Sequence, residues 1–279
     1  MKIAILADVH GNLQALRAVM DHVDRWRPDA VLVAGDIVNR GPRSPECWDL
    51  VEERRARDGW LVIRGNHEEY VMQRGSPDAA RPPPAYDVFA AVDWCRRSLG
   101  ARAAELPAMV TEASLPTPAG EVFMTHGTLL GSRDGIYPHT TDQELDSKVR
   151  AGSAVFAVGH THRPLIRRHR GCLVVNAGSI GMPFDGDPRA AYARLELIGS
   201  TGWGVRIVRL DYDRAAAERD FALTGFLDGC GPIGRTVLNE FRTARGRLAA
   251  WTRDYQDRIL ARELTVADAA KLFLSGIRG

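Results

Sequence analysis

The sequence predicts an α/β fold in which mostly parallel strands alternate with helices. Residues 2–7, 30–34 and 60–63 are short apolar runs, which are typical of strands buried on both faces of a sheet. Residues 13–26 repeat apolar side chains at helical spacing, and residues 45–57 predict a second helix. The order strand, helix, strand, helix, strand favours a sheet covered by helices.

Downstream of residue 107, further apolar runs predict additional strands. Residues 108–114 and 121–125 flank a Pro-Thr-Pro-Ala-Gly turn, and this pattern predicts a β-hairpin. A helix is predicted over residues 142–150, and a buried strand over residues 153–159 follows it. Residues 164–170 predict a short hairpin that leads into residues 173–176, and residues 190–197 and 205–210 predict two further strands.

The segment 75–107 interrupts the alternation of strands and helices. It begins with a loop over residues 75–84 that contains three successive prolines, which fix φ and remove backbone donors. A helix over residues 86–100 follows the loop. We expect this segment to be either a cap over the functional edge of the sheet or a surface excursion.

From residue 212 onward the composition changes to helical sequence rich in alanine and arginine. A glycine-rich break is predicted at residues 225–234, and a charged helical tail follows it. We therefore predict a body over residues 1–211 and a helical extension over residues 212–279. The extension would pack on the body or make a homodimer contact.

The composition restricts the partners and the compartment. The 37 basic and 35 acidic residues leave a net charge of +2, which does not favour a nucleic acid or an acidic membrane surface as partner. The four cysteines form no CxxC pair, so a reducing compartment is expected. The apolar stretches are shorter than the roughly 20 residues of a membrane span, and the N-terminal run is too short for a signal peptide. We expect a cytoplasmic protein.

Polar residues capable of metal binding or acid–base chemistry directly follow the predicted strands. They are Asp8, His10, Asp36, Asn66, His67, His126, His160 and His162. In open α/β sheets, ligands bind at the carboxyl ends of the strands, so these residues are expected to meet at one edge. Any one of these histidines is more simply explained as a core or capping residue. Their coincidence at successive strand ends instead indicates a shared site.

The spacing and chemistry of these residues indicate a metal site. Asp8-x-His10 and His160-x-His162 both have i, i+2 spacing, which places two side chains on the same side of an extended strand end. The nitrogen and oxygen donors suit two divalent transition metals, and Asp36 could bridge them. A pair of metals about 3.5–4 Å apart can hold a hydroxide and neutralise a phosphate.

Five motifs, in order along the chain, resemble those of the calcineurin-like metallophosphoesterase superfamily. They are Asp8-Val9-His10, Gly35-Asp36, Gly65-Asn66-His67-Glu68, His126-Gly127 and Gly159-His160-Thr161-His162. Residues 176–192 are similar to the segment that closes the fold in small bacterial members, so the resemblance covers about residues 1–210. It implies a four-layer αββα sandwich, with residues 1–211 as the catalytic domain and the helical extension as an appendage.

The resemblance also implies which residues bind each metal. The ligands of the first metal would be Asp8, His10, Asp36 and His162. The ligands of the second would be Asp36, Asn66, His126 and His160. The ligand types admit manganese, iron, zinc, nickel or cobalt, and we favour manganese.

Catalytic and substrate-binding roles follow from the same resemblance. His67 would be the catalytic acid or the imidazole that contacts the phosphate, and Glu68 would orient it. Asn66 would bind both metal and substrate. Residues 35–42 resemble the loop of protein serine/threonine phosphatases and symmetrical diadenosine tetraphosphatases, which makes Arg40 the candidate for phosphate binding. The protein phosphatases carry an arginine directly after the Asn-His-Glu motif, whereas this chain has Glu69.

The predicted function is hydrolysis of a small phosphorylated substrate by a metal-held hydroxide. A phosphomonoesterase acting on a nucleotide or a phosphoprotein is the leading interpretation, because an arginine can bind a terminal phosphate through two hydrogen bonds. The alternative is a phosphodiesterase acting on cyclic nucleotides or dinucleoside polyphosphates. A non-catalytic scaffold with the same fold is a further alternative, although each expected ligand position is filled.

Overall fold

Two mixed β-sheets form the centre of the molecule in the computed structural model, which describes residues 1–79, 83–199 and 202–276. The strands are β1 (Lys2–Leu6), β2 (Ala30–Val33), β3 (Leu61–Val62), β4 (Glu112–Leu115), β5 (Val122–Thr125), β6 (Val155–Val158), β7 (Leu165–His169), β8 (Cys172–Asn176), β9 (Ala190–Ile198) and β10 (Gly202–Leu210). The first sheet has the order β10-β9-β1-β2-β3, and the second has the order β4-β5-β6-β8-β7.

The α-helices cover the outer faces of the sheets and fill the C-terminal region. They are α1 (Leu13–Trp26), α2 (Ser44–Asp58), α3 (Asn66–Arg74), α4 (Ala85–Val88), α5 (Ala90–Leu99), α6 (Asp142–Lys148), α7 (Arg214–Leu223), α8 (Phe226–Thr243), α9 (Leu248–Leu260) and α10 (Val266–Ser275). The predicted elements of the body are present, with ends that differ by a few residues. Among the described residues, the helices are too short or too polar to cross a membrane.

The predicted parallel pairing holds for three adjacent strands of each sheet but not for the others. β1, β2 and β3 are parallel, as are β5, β6 and β8. β4, β7 and the pair β9–β10 run antiparallel to their neighbours, so both sheets are mixed. The departure has a local cause: successive strands such as β4–β5 and β7–β8 are joined by short connections, which permit only antiparallel pairing.

The sheets pack face to face, and β1 shows how the layers form. Its residues alternate between two buried faces, as the period of two for a strand requires. Ile3 and Ile5 face the second sheet, in a cluster with Met124. Ala4 and Leu6 belong to the cluster that contains the apolar face of α1. Since α6 covers the far side of the second sheet, the molecule has the predicted αββα layers.

Two predicted helical features differ in the structure. The helix predicted over residues 86–100 is divided at Phe89 into α4 and α5. The break predicted at residues 225–234 is instead a kink within α8, at Gly231 (φ 54°, ψ −132°) and the following Pro232. Helical structure resumes after the kink because Pro232 occupies the start of the next helical turn, where its missing N–H is least costly.

Helices α4 and α5 of the segment 75–107 pack between α3 and the C-terminal helices. Val88 and Ala91 share a hydrophobic cluster with Phe226 and Trp251. On the other side, Arg74 of α3 donates from Nε and Nη2 to the two carboxylate oxygens of Asp93 on α5, at 2.8 and 2.6 Å. Both side chains of this ion pair are only 8% exposed. Residues 75–107 therefore connect the body to the extension, while the proposed domain limits remain a prediction.

Asp93→Ala should lower the free energy of unfolding by about 3 kcal/mol, because it removes the carboxylate of the buried Arg74–Asp93 ion pair. Urea denaturation followed by circular dichroism would measure the change. The matched control is Asp49→Ala, which removes a bidentate partner from Arg102 at an exposed position. The control should lower the free energy of unfolding by less than about 1 kcal/mol. Equal losses in the two variants would contradict the prediction.

Candidate metal centre

The carboxyl ends of five strands converge at one edge, where the two sheets meet. Asp8 and His10 follow β1, Asp36 follows β2, and Asn66 opens α3 after β3. His126 follows β5 in the second sheet. The last pair, His160 and His162, follows β6. The eight polar residues predicted at strand ends therefore lie in one site, including His67, which is next to Asn66.

The local backbone of these residues differs from the expectation of extended strand ends. Asp8, His10, Asp36, His160 and His162 all have positive φ, between 48° and 65°. This left-handed region is uncommon for residues other than glycine, and such conformations cluster at functional sites. The i, i+2 pairs converge because the chain turns sharply after each strand, not because the strands continue.

Four side chains form a first group of candidate ligands. They are Asp8, His10, Asp36 and His162, and one ligand atom from each lies within 4.8 Å of the others. The Nε2 atoms of His10 and His162 are 3.0 Å apart, and Asp8 Oδ1 is 3.3 Å from His162 Nε2. All four residues are buried. Their donor atoms face a common point that a metal ion could occupy.

A second group adjoins the first through Asp36. Asn66 Oδ1 lies 2.9 Å from His126 Nε2 and 2.9 Å from His160 Nδ1. Asp36 Oδ2 is 3.3 Å from His126 Nε2 and 3.6 Å from Nε2 of His10, which belongs to the first group. One carboxylate oxygen therefore borders both groups, as a bridging ligand must.

Backbone carbonyls fix the tautomers of two of these histidines. His162 Nδ1 lies 2.6 Å from the carbonyl oxygen of Met182, and His126 Nδ1 lies 2.6 Å from that of Ala34. Since a carbonyl can only accept, each Nδ1 carries a proton and donates it. In the neutral ring the lone pair is then on Nε2, the atom that faces the cluster.

The carboxylates of the site fit a bound cation. Asp8 Oδ2 accepts from the His160 N–H and Asp36 Oδ1 from the His67 N–H. Within the described residues, Asp8 Oδ1 and Asp36 Oδ2 are buried and accept no hydrogen bond. Burial lowers the pKa of His126, but the neighbouring Asp36 outweighs this effect and raises the pKa to about 10. The two carboxylate oxygens without hydrogen bonds therefore suit a bound cation, and the oxygen and nitrogen donors of the site suit divalent transition metals.

Glu68 does not orient His67, and that expectation is wrong. Its Oε1 accepts from the N–H groups of Ile37 and Val38 at 2.7 and 3.1 Å. Its Oε2 accepts from the N–H groups of Asp36 and Gly65 at 2.9 and 2.7 Å. Burial raises the pKa of Glu68 to about 7, and the donated backbone hydrogen bonds oppose this shift. Glu68 thus joins the loop after β2 to the turn after β3.

Asn39 has the role that was expected of Glu68. Its Oδ1 accepts from the Arg40 N–H at 2.8 Å, which turns its Nδ2 toward His67 Nδ1, also at 2.8 Å. Burial lowers the pKa of His67 well below its usual value. Asn39 was not predicted from the sequence, although it lies in the same loop as Arg40 and its amide can bond to an imidazole.

Arg40 lies beside His67 at the open side of the site. Its Nε is 3.2 Å from His67 Nε2, and its guanidinium carbon lies 5.4 Å from the centre of the Phe184 ring. Its Nη1 donates to Glu240 of the C-terminal helix α8. An isolated glutamate in a charged helical sequence carries no signal of this contact, so sequence reasoning missed Glu240.

Glycine is required in the turn that precedes Asn66. A Cβ atom on Gly65 would lie 2.2 Å from Asp36 Oδ1 and 2.7 Å from His126 Nδ1. Both distances are far below van der Waals contact. The absence of a side chain at this position lets the turn after β3 approach ligands from both sheets.

A cavity of about 980 Å³ opens above the candidate ligands. Asp36, Asn66, His67, His160 and His162 line one end. The opposite walls come from α4–α5 and from α8–α9, with mostly apolar side chains: Val88, Phe89, Val92, Ile233, Val237, Leu248 and Trp251. The volume is in the range of small-molecule sites.

Several further arginines and histidines downstream of residue 130 have defined contacts. Arg133 lines the cavity, with its guanidinium carbon 4.6 Å from the Tyr70 ring centre. His139 stacks on Tyr137. On the β7–β8 hairpin, Arg167 pairs with Asp142 and Arg170 with Asp146, which does not favour nucleic-acid binding there.

The protein matches the family model described as a calcineurin-like phosphoesterase superfamily domain over residues 1–199. A metallophosphoesterase crystal structure from Sphaerobacter thermophilus has a TM-score of 0.67 and 27% sequence identity, and the match covers 88% of this chain and 99% of that one. The phosphodiesterase YfcE of Escherichia coli is 23% identical over 70% of this chain and 88% of its own length.

A third relative is similar over a shorter stretch. The symmetrical bis(5'-nucleosyl)-tetraphosphatase of Paracidovorax citrulli is 30% identical over 149 residues, which are 48% of this chain and 51% of that protein. The family model covers well over half of the chain and includes the residues of the site. The chain therefore belongs to the calcineurin-like phosphoesterase superfamily.

Proposed function

We propose that this protein hydrolyses phosphate esters at a dinuclear divalent-metal centre. The observation that carries the proposal is Asp36 Oδ2, an oxygen without a hydrogen bond among the described residues, which borders both ligand groups. Family membership supports the reaction class, and relatives named as a phosphodiesterase and a tetraphosphatase support hydrolysis of phosphate esters.

The ligands would divide between the two ions as the residues are grouped. The first ion would be held by Asp8, His10, Asp36 and His162, and the second by Asp36, Asn66, His126 and His160. When bound, the ions would neutralise phosphate charge and lower the pKa of water. Manganese remains our favoured metal within the set that nitrogen and oxygen ligands admit.

His67 and Arg40 would act on the substrate from the open side. The two ring nitrogens of His67 face donors on Asn39 and Arg40, but a neutral imidazole offers a single acceptor. In the structure the Arg40 Nε–H points at Nε2, so only one of the two contacts can be a hydrogen bond to the neutral ring. With a phosphate oxygen between His67 and Arg40, and Asn39 donating to Nδ1, the ring would carry its proton on Nε2 and both groups could donate to that oxygen. The His67 N–H would then stabilise charge on the leaving oxygen by a hydrogen bond.

The apolar walls of the cavity favour a substrate with a bulky leaving group. Their side chains come from α4–α5 and α8–α9, beyond the phosphate position set by Arg40 and His67. Such walls would exclude water from an aromatic or otherwise apolar group and bind it by burial. We therefore propose a phosphomonoester with a large leaving group, such as a nucleotide.

A dinucleoside polyphosphate is the second candidate, because the cavity is large and contains additional cations. Arg133, Arg163 and Arg253 line it in addition to Arg40. The tetraphosphatase relative acts on a substrate of this class by its name. More than one phosphate could therefore be accommodated.

A substrate panel across metals would test the proposal. The panel contains p-nitrophenyl phosphate, its bis-ester, cyclic nucleotides and dinucleoside polyphosphates, each assayed with manganese, iron, zinc, nickel and cobalt. Preferred turnover of the monoester would support the first candidate, and preferred turnover of the polyphosphate the second. Bound metal without turnover of any substrate would favour a non-catalytic scaffold.

Asp36→Asn should lose bound metal and activity, because the amide keeps an acceptor for the His67 N–H but removes the charged oxygen between the two groups. Elemental analysis of the purified protein and the panel assay would measure both effects. The matched control is Asp142→Asn, whose side chain is 77% exposed on α6. Full metal occupancy and full activity in Asp36→Asn would contradict the assignment.

His67→Ala should retain metal and lower kcat by about 10²–10³-fold, the usual cost of removing one donor that stabilises developing charge. Metal analysis and steady-state kinetics would distinguish this result from loss of the site. His22→Ala is the control, because His22 contacts Tyr192 on the outer face of the first sheet. Unchanged kcat in His67→Ala would exclude the proposed role.

Leu248→Ala should lower kcat/KM for a naphthyl phosphate about fivefold and leave methyl phosphate nearly unchanged, since the half-buried leucine lines the far wall of the cavity. Leu223→Ala makes the same change at an exposed position on α7 and should affect neither ester. Equal losses for the two esters with Leu248→Ala would argue against a leaving-group pocket.

A further inference from the structure

A charged contact joins the phosphate loop to the C-terminal extension. Arg40 Nη1 donates to Glu240 Oε2, although the two residues are 200 positions apart in the chain. Arg40 follows the first candidate ligands in the loop after β2, and Glu240 lies near the end of α8. The extension, which the family model does not cover, therefore reaches the proposed catalytic site directly.

Glu240 is built into the extension as a buried acceptor. Its side chain is 1% exposed. Its Oε1 accepts from the N–H groups of Arg247 and Leu248, which precede and open α9, at 2.5 and 2.6 Å. The turn between α8 and α9 thus holds one carboxylate oxygen and leaves the other for Arg40. A buried charge of this kind needs its partner, since removal of either member leaves the other uncompensated.

Arg40 needs such a partner because its backbone conformation alone does not fix the position of its guanidinium group. Asn39 and Arg40 both have left-handed φ values, 68° and 66°, which fix where the side chain leaves the loop. A long flexible stem then separates the guanidinium from the backbone. Glu240 holds Nη1, His67 lies beside Nε, and no described residue accepts a hydrogen bond from Nη2.

The relative exposure of the pair indicates which group meets the substrate. The Arg40 side chain is 17% exposed, whereas that of Glu240 is 1% exposed. Both residues line the cavity, and the guanidinium is the more accessible of the two groups. A phosphate would approach Arg40 at Nε and Nη2, which would leave the contact between Nη1 and Glu240 in place.

We propose that Glu240 is a positioning residue that holds Arg40 for phosphate binding, and that the C-terminal helices thereby form part of the phosphate site. This inference rests on the proposed function, in which Arg40 contacts the substrate phosphate. It extends that function by assigning a role to a residue outside the matched family domain.

Glu240→Gln tests this role with little change in shape. The glutamine oxygen can still accept from the N–H groups of residues 247 and 248, but its amide cannot hold Arg40 as an anion does. In the manganese-loaded protein, calorimetry should show that the Kd for inorganic phosphate rises about tenfold, the effect of losing one charge-assisted hydrogen bond. KM for a phosphomonoester should rise by a similar factor, with metal content unchanged.

A matched control and a double variant make the test specific. Glu218→Gln removes the partner of Arg242 on the outer side of the same extension and should leave the phosphate Kd unchanged. In an Arg40→Met background, Glu240→Gln should produce no further loss, because its effect passes through Arg40. If Glu240→Gln does not fold, Glu240→Asp takes its place. The shorter carboxylate keeps the charge but withdraws from Arg40, so the Kd should still rise several-fold.

Two results would overturn the proposal. One is a phosphate Kd that stays the same or falls in Glu240→Gln, which would mean that Glu240 has no role in phosphate binding or competes with phosphate. The other is a rise in the phosphate Kd on adding Glu240→Gln to Arg40→Met that equals the rise in the wild-type background. A wild-type protein that binds phosphate but turns over no substrate would overturn the proposed function and leave this comparison intact.

Discussion

The arrangement of the site depends on one buried carboxylate, that of Glu68. Its two oxygens accept four backbone N–H groups, three from the loop after β2 and one from the turn after β3. This contact fixes Asp36, which borders both ligand groups, relative to Asn66 and His67. Gly65 permits the close approach that the contact requires. The carboxylate is entirely buried, so these donors stand in for the water it has lost.

Around this frame, the two halves of the site have different origins. The candidate metal ligands come from the strand ends of the two sheets, and five of them have left-handed backbone. The cavity above them is built by α4–α5 and by the C-terminal helices. Arg40 lies where the two halves meet, since it contacts His67 on one side and Glu240 on the other. This division suggests that the ligands set the chemistry and the helices set the substrate.

Local sequence signals predicted the alternation of strands and helices and the convergence of polar residues at one edge, whereas the αββα layers and the division of ligands between two metals were implied by the family resemblance. Apolar runs at strand spacing and polar residues at strand ends are local signals, and parallel strands bring their ends together without further information. Asn39 and Glu240 could not be placed in this way, because their roles depend on contacts between distant elements. The role assigned to Glu68 was wrong for a related reason: its neighbour in sequence, His67, is not its neighbour in hydrogen bonding. The domain limits, the homodimer contact and the cytoplasmic location remain predictions.

The most direct test of the account is the number of metal ions bound per chain. Elemental analysis of protein reconstituted with manganese and then freed of unbound metal would provide it. The account predicts close to two ions per wild-type chain, since Asp36 borders two complete ligand groups. A single ion per chain that supports full activity would contradict the dinuclear centre.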